Sequence, residues 1–125
     1  MAILLPEKPD QSAQAIRDGL ARNPGRRVGV IITDTFGRPW RTGLTQVALG
    51  VAGLSPVEDM REAADTEGRT LQVTVIAIAD ELACAADLVC GKLNRMPVAI
   101  VRGYPIKGEG SAKALVRPSE QDLFR

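Results

Sequence analysis

Apolar positions along the chain fall into short runs separated by breaks rich in Gly, Pro and charge. Met1–Leu5 reads as a short strand that Pro6 stops. Asp10 or Ser12 then caps a predicted helix reaching about Arg22, because Ala13, Ile16 and Leu20 recur on one helical face. Asn23-Pro24-Gly25 ends it. Val28-Gly29-Val30-Ile31-Ile32 is a continuous apolar run of the buried-strand type. Thr45–Leu54 is predicted as a further strand, since Gly43, Gly50 and Gly53 disfavour a helix there, and Ser55-Pro56 breaks it. Glu58–Arg69 is strongly charged and reads as a surface loop or weak helix. Thr70–Ala79 alternates, with Leu71, Val73 and Val75 against Gln72 and Thr74, and then turns wholly apolar, as a strand entering a core does. A helix follows from Asp80-Glu81 to about Val89, its acids placed where the helix dipole favours them, with Gly91 and Lys92 as the stop. A start as early as Thr74 also fits. Pro97–Arg102 reads as another buried strand, and Ser111–Val116 as a short helix ended by Pro118. Strand, helix and strand in alternation predict an α/β fold in a single compact domain, without repeats or a linker.

Composition narrows the chemistry. At 125 residues the chain is long enough for a core, and with aromatics at 3% that core is built from Ala, Val, Leu and Ile. The same scarcity leaves few platforms for stacking nucleic-acid bases. Lys and Arg number 16 against 15 Asp and Glu, a net charge of +1, so no global field steers the chain to nucleic acid or a membrane. No apolar run approaches the roughly 20 residues of a membrane span. The expected location is the cytoplasm. Cys84 and Cys90, six apart on one helix, point in different directions and are expected to stay reduced. The absence of histidine removes imidazole as base, ligand or switch. A metal here would be held by oxygen, which suits Mg or Mn.

Candidate chemistry concentrates in Ile31–Arg41, where an apolar run gives way to Asp34, Thr35, Arg38 and Arg41 around Gly37 and Pro39. Asp34 and Thr35 follow a predicted strand, where α/β folds collect ligands. They suit Mg or Mn on a nucleotide phosphate, or alternatively a turn capped by Asp34. Arg38 and Arg41 suit bidentate contact with phosphate or carboxylate, or solvation at the surface. Lys107-Gly108-Glu109-Gly110-Ser111 is a loop whose glycines would let backbone approach an anion, or a flexible turn with a helix cap; its spacing is not that of a Walker P-loop. Asp80-Glu81 is explained by its helix start. Trp40 reads as a packing anchor.

Several of these segments together resemble a known family. Leu4-Leu5-Pro6-Glu7-Lys8-Pro9-Asp10, Ile32-Thr33-Asp34-Thr35-Phe36-Gly37-Arg38-Pro39-Trp40-Arg41, Gln46–Leu54, Leu71-Gln72-Val73-Thr74, Ala79-Asp80-Glu81-Leu82-Ala83, Val101-Arg102-Gly103 and Asp122-Leu123-Phe124-Arg125 are similar to the coenzyme F420-0:L-glutamate ligases, in the right order. The resemblance implies the C-terminal half of that fold and a ligase that adds L-glutamate to coenzyme F420-0. It implies GTP as co-substrate, an acyl phosphate intermediate, Mg or Mn, potassium, and dimers. By position it makes Asp34 and Thr35 metal ligands. Glu109 is the candidate for a third ligand, Lys107, Gly108, Gly110 and Ser111 for nucleotide contacts, and Arg38 and Arg41 for substrate. Family members are about twice this length. Their other half carries a further metal-binding Asp, a nearby Asn and a nucleotide-contacting segment, so a homodimer or a partner chain supplying that half is expected. The alternatives are a non-catalytic dimerisation or interaction module derived from the ligase, and a metal-dependent phosphohydrolase.

Overall fold

The computed structural model describes residues 4–22 and 27–122. The expected strand at Met1–Leu5 lies partly outside these residues, and Leu4 and Leu5 are not in a strand. The expected helix stop at Asn23-Pro24-Gly25 and the closing Leu123-Phe124-Arg125 lie outside them.

The architecture mixes helix and sheet, as expected, and is organised around an antiparallel hairpin. Strand β1 (Val30–Arg38) pairs with β2 (Arg41–Ala52), running from Val30 opposite Ala52 to Arg38 opposite Arg41. Pro39 and Trp40 make the turn, with Trp40 at φ 57. Proline followed by a residue of positive φ is the sequence of a type II turn. The register slips between Ile32 and Thr33 and again between Phe36 and Arg38, as β-bulges do. A second, minimal antiparallel pair joins β3 (Glu58–Asp59) to β4 (Val75–Ile76).

Two helices pack on β2. Helix α1 (Pro9–Leu20) opens with Pro9, which suits a first turn whose N–H groups have no helical partner. Gly50 of β2 lets α1 come close: a Cβ there would run into the carbonyl group of Pro9 and approach its side chain to 2.8 Å. Helix α2 (Ile78–Cys90) starts two residues before Asp80 and ends at Gly91. It bonds to β2 throughout its length. Asp80 accepts from the Ala48 N–H at 2.8 Å beside the first bulge, Cys84 lies 3.1 Å from the Thr45 hydroxyl, and Gln46 donates to Asp87 at 3.1 Å. Val51, Leu54, Ala79 and Ala112 form the buried cluster, with Ile31, Leu82 and Ile106 against it. It is a small-residue core, as the composition requires.

Three expectations are corrected. The stretch from Asp34 to Arg38 is not a loop beyond a strand end; it is the second half of β1. Backbone pairing in a hairpin continues wherever both strands remain extended, and Thr33, Thr35 and Phe36 favour that geometry. Thr70–Ala79 delivers only a two-residue strand, and Val73 is 86% exposed. Pro97–Arg102 is neither paired nor buried: Val98 and Ile100 are 77% and 76% exposed.

Candidate functional site

The Asp34–Thr35 pair sits mid-hairpin, opposite Val47 and Gln46. One carboxylate oxygen of Asp34 accepts from the Thr35 N–H at 2.7 Å. The Thr35 hydroxyl accepts from the Lys92 ammonium at 3.1 Å, just past the end of α2. Cross-strand partners share a face, so Thr35 stands beside Gln46 under α2, whereas its neighbour Asp34 faces the other side. Carboxylate and hydroxyl therefore diverge, and a cationic group already holds the hydroxyl. Among the described residues no three His, Cys, Asp or Glu side chains gather as metal ligands would. What the chain offers a cation at this point is the Asp34 carboxylate, beside a Thr35 hydroxyl that Lys92 already engages.

Glu109 lies elsewhere. Its carboxylate accepts from the Gly53 N–H at 3.1 Å and pairs with Arg17 at 3.2 Å. Gly53 follows the residue opposite Val30, so Asp34 is four residues away along β1, roughly 13 Å at the rise of a strand. Arg17 also donates to the Val28 carbonyl at 3.1 Å, stitching α1 to the entry of β1. Gly53 has φ 80, and a Cβ there would collide with Arg17 and come within 2.7 Å of the Val28 oxygen.

The 107–111 loop is held from several sides. Ser55 N–H donates to the Lys107 carbonyl at 2.8 Å, and Lys107 pairs with Glu58 at 3.1 Å. The bare faces of Gly108 and Gly110 turn to Ser55 and Pro56, where added Cβ atoms would come within 3.2 and 2.5 Å. Ser111 caps the 3₁₀ turn Ala112–Leu115 by accepting from the Lys113 N–H, and its hydroxyl donates to Asp10 at 2.6 Å. Both glycines thus have a packing reason to be there. Arg38 and Arg41 face each other across the closed end of the hairpin, exposed, away from Glu109.

Neither Asp10 nor Ser12 caps the helix, which begins after Lys8 without a side-chain cap. Asp10 instead accepts from the Val51 N–H at 2.8 Å, the Ala112 N–H at 3.1 Å and Ser111. Burial raises its pKa, but the bonds from Ser111, Val51 and Ala112 and the charge of Lys113 outweigh that and hold it below its ordinary value. Arg17 and Lys92 join these groups through contacts that are distant in sequence. Their partners are 92 and 57 residues distant, and no local pattern marks such a pair.

A profile of the family described as F420-0:Gamma-glutamyl ligase matches residues 1–103. The chain belongs to this ligase family. It is 48% identical over 129 aligned residues to the coenzyme F420:L-glutamate ligase of Methanothermobacter thermautotrophicus, covering 100% of this chain and 51% of that protein. The enzyme of the same name from Methanocaldococcus jannaschii is 44% identical over 124 residues, covering 98% of this chain and 50% of its own length. The one from Methanococcus maripaludis strain C7 is also 44% identical, over 97% of this chain and 50% of its length. The chain spans about half the length of the curated relatives it matches.

Proposed function

We propose that the chain serves as one half of an enzyme joining L-glutamate to coenzyme F420-0 at the expense of GTP. The observation that carries this reading is the chain-long identity to proteins named for that ligation. In the proposed reaction a terminal carboxylate oxygen of the coenzyme attacks the γ-phosphorus of GTP, and GDP leaves. The glutamate amine then attacks the acyl carbon of the resulting acyl phosphate, loses a proton, and expels inorganic phosphate. Developing negative charge on the phosphoryl group calls for fixed cations. Arg38 and Arg41, exposed at the hairpin end, and Lys92, above Thr35, are the groups this chain brings to that task. Asp34 is the residue proposed to face a cation that belongs to the nucleotide.

Titration calorimetry with GTP and Mn on the wild type and Asp34→Ala tests the assignment. The expected result is a loss of the Mn-dependent part of binding in the variant; equal binding by both sinks the role of Asp34. A glutamate-dependent release of phosphate from GTP in the presence of coenzyme F420-0 separates a ligase from a phosphohydrolase, which needs no glutamate.

A second reading is a non-catalytic interaction module. An unchanged melting temperature with GTP and Mn favours the module, and a clear rise favours the ligase.

A further inference from the structure

The turn of the β1–β2 hairpin carries three features that the fold itself does not require. Trp40, the chain's single Trp, is 83% exposed and so is not the packing anchor expected of it. Its backbone is left-handed, at φ 57, in the turn position that Gly or Asn normally takes. A bulky residue in that conformation is an outlier, and residues strained in this way cluster at ligand sites. Arg38 and Arg41 stand directly opposite each other on either side of the turn. Like charges opposite one another in a hairpin are destabilising. Among the described residues neither arginine belongs to an ion pair.

Together these features suit one kind of ligand. An indole face stacks on a flat ring, and a guanidinium fork takes phosphate or carboxylate. Phe36 and Leu44, at the same end of the hairpin, are 44% and 69% exposed and add apolar surface. An anion between the arginines would relieve their repulsion, and a ring on Trp40 would cover the indole. Inorganic phosphate satisfies only the arginines, and an uncharged ring only the indole. The chemistry called for is a single molecule with both parts, a planar aromatic anion.

We propose that Trp40 is a stacking residue for the flat ring of the coenzyme substrate, with Arg38 and Arg41 on that molecule's acidic groups. The identity of the ligand rests on the ligase reading, since the relatives are named for this coenzyme. GTP is the other ring-bearing anion of that reading. The Asp34 carboxylate proposed to face its cation lies four residues before Arg38, roughly 13 Å along β1. Phosphates held at Asp34 leave the end of the hairpin to the coenzyme.

The full 125-residue chain has a single Trp, so its indole fluorescence reports on Trp40 alone. Titration with coenzyme F420-0, corrected for absorption by the ligand, should quench that emission to saturation. GTP and inorganic phosphate at equal concentration should leave most of it. By calorimetry Trp40→Ala should weaken coenzyme binding on the order of tenfold, and Trp40→Phe, which keeps a ring, by about threefold or less. Leu88→Ala, at a site 88% exposed on α2, should bind as the wild type does. Unchanged coenzyme binding in Trp40→Ala overturns the proposal, and a glutamate-dependent release of phosphate that persists beside it leaves the ligase reading standing. Quenching by GTP and not by the coenzyme also overturns the proposal, as does an absence of coenzyme binding. Quenching by the coenzyme without glutamate-dependent release keeps the ring on Trp40 and overturns the ligase reading alone.

Discussion

At the scale of single residues, Asp10 carries more of the structure than any group in the conspicuous Asp34–Arg41 stretch. It joins α1 to the backbone of β2 and to the 3₁₀ turn near the other end of the sequence. Asp10→Ala leaves two N–H groups and a hydroxyl without this acceptor, and is expected to destabilise the chain by roughly 2–4 kcal/mol in denaturant unfolding. The folded pKa lies below the unfolded value of 3.8. The carboxylate's contribution is therefore fully present above about pH 4 and is lost as pH falls through the lower folded pKa. The stability gap between wild type and Asp10→Ala should narrow over that interval; a gap unchanged down to pH 2 would refute the linkage. Asp59 offers a simpler check. Hydrogen bonds from the Arg61 side chain and backbone hold its pKa at about 2. An NMR titration of Arg61→Ala should show that carboxyl moving back towards 3.8.

At the scale of elements, what the sequence displayed was periodicity, and what it hid was pairing. Ala13, Ile16 and Leu20 marked α1, and the acids at Asp80-Glu81 marked the first turn of α2, because helix signals are local. The apolar run ending at Ile32 concealed that β1 continues through Asp34 to Arg38, since the pairing there is made by backbone atoms and Phe36 is isolated among polar residues and Gly37. The candidate site was legible in residue type and not in geometry. Asp34, Thr35 and Glu109 are oxygen donors of the kind a hard cation takes, but no local pattern shows that Lys92 engages Thr35 or that Arg17 and the Gly53 N–H engage Glu109. The helix-to-hairpin contact gives a sharp prediction. Gly50→Ala places a methyl group against the Pro9 carbonyl, and backbone cannot yield as a side chain tip does. It should cost about 1–3 kcal/mol or more, whereas Gly37→Ala, with nothing within 4 Å of the added Cβ, should stay within about 0.5 kcal/mol of wild type. Equal effects at both sites would mean that α1 does not sit as described.

At the scale of the whole molecule, surface decides what the isolated chain is. An unfolded chain of 13.4 kDa exposes about 19,400 Å². Folding to 10039 Å² therefore buries only about half of it, where a domain of this size usually buries about two-thirds. Denaturant sensitivity scales with the surface exposed on unfolding, so the urea m-value of the chain alone should be about three-quarters of that for an ordinary domain of equal length. The row of Val98, Ile100 and Leu93 should at the same time bind a dye such as ANS. A full-sized m-value without dye binding would show that Leu93, Val98 and Ile100 are buried in solution and that the irregular run after α2 packs against the rest of the chain.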